Sequence, residues 1–319
     1  MYNVGITHDR VFGFFKESYH QPLKDMGIDY HFIDPKAHKF NATIKTLVTG
    51  FLTDEELENY PNLEALIVPF AAINQLDLEA LERRNIKIFN TSAHAKFVAE
   101  RALALTLAVM GKIVLFHKKL ERGDWADRIK GNGGTGIKWT SLFGKNVAIY
   151  GYGNIGKALH NLLRPFGGQI GVLNYKDREF AGVKTFDSLE DMATWCDVLI
   201  ITTSLNQTTE GRINTSILTR LKDRVLINVG RGAIIEEAAL YEALNTGRLK
   251  GFGSDVWYNY PDENTPNCAP SKYPIGAFEH VVMTPHNGGT EDTSGRVKYI
   301  DVATQLIQIS RRDYSRQIK

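Results

Sequence analysis

Apolar and polar positions alternate in blocks along this chain. Short, nearly continuous apolar runs recur at "YNVGI", "TIKTLVT", "LEALIV" and "IKIFN", and between them lie helix-like stretches such as "DEELENY" and "DLEALERR". Strand-length apolar runs separated by helical segments predict a parallel sheet with helices on both faces. A long helix predicted over 97–122 breaks the rhythm, and its "RALALTLAVMGKIVLF" is the most apolar stretch of the chain. Its uninterrupted apolar part is shorter than the ~20 residues of a membrane span, so it reads as a buried helix. After the loop-like "GNGGTG", a second alternation runs through "NVAIY", "QIGVLN", "DVLIIT", "RVLINV", "KGFGSDV" and "HVVMTP". The tail, 290–319, reads as one more helix, rich in polar residues. Two α/β units follow from this pattern: a first ending near residue 90, to which the last helix can return, and a second over roughly 96–288.

Where the second alternation starts, an apolar strand over 146–150 stops at "GYGNIGK", and a helical pattern follows. The spacing G-x-G-x-x-G has meaning in this strand–turn–helix setting. Gly151 permits the tight turn, Gly153 lets backbone approach a pyrophosphate, and Gly156 lets helix and strand pack closely. The N–H groups at the helix start, around Asn154 and Ile155, face the anion. The next strand ends in "NYKDR". A site for NAD expects Asp or Glu at that end to bind the ribose 2′-hydroxyl. Asn174 stands there, followed by Tyr175, Lys176 and Arg178, two of them cations able to pair with a 2′-phosphate. The expected cofactor is therefore NADP(H), with NAD(H) the alternative if Asp177 binds the ribose.

Bulk properties narrow the classes. The chain has 319 residues, long enough for two domains, and a net charge of +2, which points to neither a nucleic-acid nor a membrane partner. Its two cysteines, Cys196 and Cys268, form no C-x-x-C pair, so no metal or redox site is expected. The N-terminus shows no basic region followed by an apolar stretch, so no leader is expected and the chain reads as cytoplasmic.

Three later strands run into polar groups: "RVLINVGRG" delivers Arg231, "GFGSDVW" Asp255 and "HVVMTPHNGG" His286. In open α/β sheets ligands bind beyond the carboxyl ends of the strands, so these groups share an edge with the glycine turn. A guanidinium can grip a carboxylate and polarise a carbonyl, and an imidazole can pass the hydroxyl proton. Each residue also has a plainer reading, as a strand-end cap, a helix cap or a loop histidine.

The stretches "FVAERALAL" (97–105), "LFGKNVAIYGYGNIGKAL" (142–159), "NVGRGAIIEEAALYEAL" (228–244), "GSDVW" (253–257) and "TPHNGGTEDT" (284–293) together resemble the D-isomer-specific 2-hydroxyacid dehydrogenase family. The resemblance implies two doubly wound α/β domains. One is a flavodoxin-like substrate-binding domain of 1–95 plus 289–319, and the other a Rossmann dinucleotide domain of 96–288, with the active site in the cleft between them. It implies a reversible reaction between a small 2-keto acid, of the glyoxylate or hydroxypyruvate type, and its D-2-hydroxy acid. In it Arg231 binds substrate, His286 is the acid/base and Asp255 lies near the nicotinamide. The family's carboxylate-binding backbone loop falls on "PFAAIN", where Ala71 and Ala72 replace its usual glycines. The family's long helix makes a dimer contact, so a homodimer is expected.

One departure stands out. The family has Glu five residues after the Asp of "DV", where it pairs with the imidazole; here Tyr260 holds that place. A carboxylate would raise the imidazole's pKa, and a phenol brings no charge near neutral pH. Glu263 is close in sequence and is a candidate substitute. Three outcomes stay open: a reductase whose His286 is charged only at lower pH, a formate-dehydrogenase-like oxidation without a proton relay, and a dinucleotide sensor without turnover.

Overall fold

The computed structural model describes residues 1–7, 20–33, 40–71, 73, 76–128, 136–174, 180–262 and 265–318. The chain divides into two compact units, Met1–His94 with Thr290–Lys319, and Ala95–Gly289.

In the first unit the elements are β1 (Tyr2–Thr7), α1 (His20–Asp25), β2 (Ile28–Ile33), β3 (Thr46–Val48), α2 (Asp54–Leu57), β4 (Ala65–Val68), α3 (Leu78–Arg83) and β5 (Lys87–Asn90). Their strands form one parallel sheet in the order β2-β1-β3-β4-β5, the flavodoxin-like arrangement. A capping box starts α2: Thr53 Oγ1 accepts from the Glu56 N–H, and the Glu56 carboxylate accepts from the Thr53 N–H. The pattern of "IDYHFI" mixes polar and apolar residues, and β2 is a strand that the apolar runs alone did not reveal.

The second unit opens with α4 (Ala95–Met110) and α5 (Ile113–Glu121). The single helix expected over 97–122 is therefore two. Gly111 closes the first, its N–H bonding Leu107 O at 2.7 Å, and Lys112 takes the left-handed conformation with φ of 51°. Left-handed backbone cannot continue a right-handed helix, which ends at such a residue. Then come β6 (Val147–Tyr150), α6 (Asn154–Leu163), β7 (Ile170–Leu173), β8 (Lys184–Phe186), α7 (Leu189–Trp195), β9 (Val198–Ile201), α8 (Thr215–Arg220), β10 (Val225–Asn228), α9 (Glu237–Asn245), β11 (Gly251–Ser254) and β12 (Val281–Met283). The last helix, α10 (Ser294–Ser310), belongs to the first unit, where Val302, Leu306 and Ile309 join Val4, Ile6 and Ile28 in one core.

The second sheet is parallel throughout, in the order β12-β11-β10-β9-β6-β7-β8. Its central strands β6, β9 and β10 are buried at every position because both faces are covered. Alternate residues enter separate cores: Ala148, Leu199 and Leu226 on one face, Ile149, Ile200 and Ile227 on the other. Helix α4 lies close on β11, where glycines make room. A Cβ on Gly251 would come within 2.3 Å of Val109. The three-residue β8 is too short to register as a strand in the sequence pattern, yet it completes the sheet beyond β7.

Candidate active site

Sheet order places three predicted residues on adjoining strand ends. Arg231 follows β10, Asp255 follows β11 and His286 lies just past β12, and these three strands are consecutive neighbours in the sheet. Buried Asn228 shapes the first of these ends. Its amide donates to Arg231 O at 3.0 Å, and its carbonyl accepts the Gly230 N–H at 3.0 Å. Arg231 itself donates to Gly230 O at 2.7 Å.

Asp255 is buried, and its carboxylate is engaged by the β12 end. It accepts from the Thr284 hydroxyl at 2.5 Å, the Asn287 N–H at 3.2 Å and the Gly288 N–H at 2.9 Å. These bonds hold the loop on which His286 sits with φ of 56°, a left-handed conformation that costs a non-glycine residue. The Asp255 carboxylate therefore fixes the place from which the imidazole projects.

Trp257 ties the same end together, a role the sequence pattern did not suggest. Its indole N–H donates to Thr284 O at 2.8 Å, and its backbone N–H donates to the Tyr260 hydroxyl at 3.0 Å. A Cβ on Gly232, next to Arg231, would stand 2.2 Å from Trp257 O. One residue thus touches the segments that carry Arg231, Tyr260 and His286. The Tyr260 ring lies 5.4 Å from the His286 ring, centroid to centroid, tilted at 53°. Its hydroxyl oxygen accepts from the Trp257 N–H, and its contact with His286 is between the rings, so Tyr260 is packed beside the imidazole rather than paired with it in the manner of a carboxylate.

Electrostatics follow from burial and the Arg231 charge. Desolvation pushes the His286 pKa below its ordinary value, the guanidinium pushes it further down, and Asp255 partly opposes them. The Tyr260 pKa rises through burial, so the phenol is neutral near neutral pH. Burial also draws the Arg231 pKa down, but a guanidinium stays charged. The site presents a fixed cation beside a neutral imidazole, a pairing able to hold a small anion and exchange a proton with it.

On the same edge, β6 leads into the glycine turn. Gly151 has φ of 111°, and a Cβ there would stand 2.5 Å from the Thr203 nitrogen, so the turn demands glycine. At Gly156 a Cβ would lie 2.3 Å from Gly151 O, which is why helix and turn can pack. Gly153 differs: among the described residues nothing lies within 4 Å of an added Cβ. It is also the N-cap of α6 and supplies no side-chain cap, so the helix start at Asn154 and Ile155 opens onto space. The N-terminus of a helix before an open space suits a phosphate, and the chain fits a dinucleotide there.

At the far end of the edge, Asn174 follows β7. Its backbone N–H donates to Phe186 O at 2.6 Å, and its side-chain amide donates to Asp187 at 3.2 Å. Asp187, just past β8, was not among the predicted residues, because β8 itself was not visible in the pattern. Tyr175, Lys176, Asp177, Arg178 and Glu263 lie outside the described residues, as does Ala72. Ala71, in the first unit, is exposed, and its carbonyl accepts from the Asn90 amide at 2.7 Å. The two cysteines are free, Cys196 buried and Cys268 exposed. Among the described residues no helix is long and apolar enough to cross a membrane.

Comparison with known proteins connects this geometry to chemistry. Residues 103–288 match the family model described as D-isomer specific 2-hydroxyacid dehydrogenase, NAD binding domain. The chain is 34% identical over 226 residues to 2-ketogluconate reductase from Gluconobacter oxydans, covering 69% of this chain and 71% of that protein. It is 30% identical over 251 residues to a formate dehydrogenase of Arabidopsis thaliana, covering 76% of this chain but only 62% of the relative's length. In three dimensions it is similar to an NADPH-dependent glyoxylate/hydroxypyruvate reductase from Sinorhizobium meliloti, solved in complex with NADP and malonate. That likeness has a TM-score of 0.75 and 25% identity, over 96% of this chain and 93% of the other.

Proposed function

Since this chain belongs to the family of D-isomer specific 2-hydroxyacid dehydrogenases, we propose that it reduces a small 2-keto acid, of the glyoxylate or hydroxypyruvate type, to its D-2-hydroxy acid with NADP(H) or NAD(H). The observation that carries this reading is the placement of Arg231 and His286 at the ends of β10 and β12, the two strands that flank β11, on the edge that also bears the open glycine turn.

The nicotinamide, when bound, supplies the reducing equivalent at C2. The chain's own residues do the remainder. Gly151, Gly153, Asn154, Ile155 and Gly156 hold the pyrophosphate, and Asn174 meets the ribose. Arg231 binds the substrate carboxylate and polarises the keto oxygen, where a fixed cation meets developing negative charge. His286 holds the proton that the oxygen takes up. Because its pKa is depressed, the protonated form prevails only at lower pH, and reduction should slow as pH rises through that pKa. Asp255 and Trp257 keep the imidazole in place. The backbone at Ala71 and Ala72 is assigned to the substrate carboxylate by the family pattern, and Lys176 and Arg178 incline the site toward NADP(H). We further propose that the protein works in the cytoplasm as a homodimer, which would cover the exposed Ile113, Trp125 and Trp139 of the second unit.

A second reading, oxidation of formate without a proton relay, draws support from the absence of a carboxylate at position 260 and the "DVW" lettering. A panel of glyoxylate, hydroxypyruvate, 2-ketogluconate and formate, each assayed with both cofactors, decides between them. Reduction of at least one keto acid is expected. Turnover of formate alone would replace the proposal with the second reading. Tight nucleotide binding without any turnover would leave a dinucleotide sensor.

A further inference from the structure

Two strand ends face each other at the ribose side of the dinucleotide turn, and they carry opposite messages. β7 ends in Asn174, β8 ends beside Asp187, and the Asn174 amide nitrogen donates to the Asp187 carboxylate at 3.2 Å. The backbone locks the same pair, since the Asn174 N–H reaches Phe186 O at 2.6 Å. A carboxylate only accepts hydrogen bonds, so Asp187 dictates which way the amide of Asn174 turns. One amide hydrogen is committed to Asp187, and the carbonyl Oδ1 is left as the acceptor on the other arm. An acceptor suits a hydroxyl, which can donate to it. It offers nothing to a phosphate, which itself accepts.

We propose that Asp187 restrains the dinucleotide site from taking a 2′-phosphate and so narrows any preference for NADP(H) over NAD(H). The inference rests on the proposed dinucleotide function of this edge and adds a residue that selects between its cofactors. Asp187 acts in two ways. By orienting Asn174 it makes an amide stand in for the carboxylate acceptor of a site that binds a free ribose. By its own charge it repels a phosphate. A group hydrogen-bonded to Asn174 Oδ1 is separated from Asp187 by two hydrogen bonds and the width of the amide, roughly 6–8 Å. Between unit charges at that separation even a water-like dielectric leaves an interaction near thermal energy, and a phosphate monoester carries about −1.5 to −2. An effect of about threefold to tenfold on relative affinity follows. Lys176 and Arg178, which lie between β7 and β8 in the sequence, carry the opposite charge, so the selectivity is proposed as a balance of charges.

The test measures binding without substrate, by titrating the protein with NADH and with NADPH and following nicotinamide fluorescence. Asp187→Asn removes the charge and keeps a hydrogen-bonding neighbour for Asn174; Asp187→Ala removes both. Asp187 is exposed, and thermal melts of both variants should match the parent. Each variant should shift the ratio of the NADH to the NADPH dissociation constant toward NADPH by about threefold to tenfold, with the larger shift in Asp187→Ala. High salt should shrink the shift in Asp187→Asn. Ratios within twofold of the parent in both variants would overturn this inference and leave the dinucleotide site standing. Failure of the parent protein to bind either nucleotide would overturn both.

Discussion

The carboxyl edge of the second sheet has two halves built to different standards. At the ends of β10, β11 and β12 polar groups are tied both within a strand end, as Asn228 to Arg231 and Gly230 and Trp257 to Tyr260, and across to the next, as Asp255 to Thr284 and Gly288 and Trp257 to Thr284. At the ends of β7 and β8 Asn174 is half-buried and Asp187 exposed, and among the described residues one side-chain bond, between these two, spans the strands. Under the proposed function, the difference matches what each half must do. Proton transfer needs its groups held to fractions of an ångström, and here buried Asn228 and Asp255 anchor, through several hydrogen bonds, the segments that carry half-buried Arg231 and exposed His286. Selection between cofactors needs only a balance of charge at the surface, which one substitution can tip.

Substitutions on the two halves should therefore behave unlike one another. The largest effect is expected from His286→Ala, which should lower turnover by about a hundredfold or more while leaving nucleotide binding and the melting temperature near those of the parent. Steady-state kinetics check it, and a near-normal rate would remove the imidazole from the proton transfer.

Next comes Asp255→Ala. It leaves the Thr284 hydroxyl and the Gly288 N–H without their buried acceptor, at about 1–3 kcal/mol for each unsatisfied group. Thermal unfolding should show the loss, and turnover should fall with it as the His286 loop relaxes. Strongly weakened nucleotide binding with an unchanged melt would instead make Asp255 a direct cofactor contact.

The glycine turn lies between the two halves and separates steric from ligand roles. Gly156→Ala should destabilise the fold, since its Cβ would meet Gly151 O at 2.3 Å. Gly153→Ala should leave stability nearly unchanged and weaken dinucleotide binding about tenfold, because its Cβ enters the open space at the helix start. Equal stability losses in both variants would deny Gly153 a binding role.

The smallest expected effect is Tyr260→Glu. A carboxylate beside the ring would oppose the depression of the His286 pKa, so the falling limb of the reduction rate should move to higher pH by about one unit. An unmoved profile would mean that position 260 does not feel the imidazole's charge.

Much of the fold was legible because its signals are local. The apolar runs marked ten of the twelve strands that the structure describes, and the glycine spacing marked the turn after β6. What escaped had weak or misleading local signals. β2 mixes polar and apolar residues, β8 spans three residues, and the break at Lys112 interrupts a continuous apolar stretch with a single left-handed residue. Within the site, Arg231, Asp255 and His286 were visible as polar residues ending apolar strands. Trp257 and Asp187 were not, since their significance lies in what they touch.

By itself the amino-acid order determined the kind of elements, the parallel α/β class, the turn that glycine alone can form and the polar residues at the strand ends. These depend on backbone sterics and on burial of one short segment at a time. The tertiary structure decided which strand lies beside which, and hence that the β10, β11 and β12 ends adjoin. It also decided that Asp255 meets a loop about thirty residues further on, that Tyr260 turns its hydroxyl to Trp257, and that Asn174 answers to Asp187. Those pairings come from the order of strands in the sheet. Strand order is a property of the packed chain as a whole, and no local run of residues encodes it.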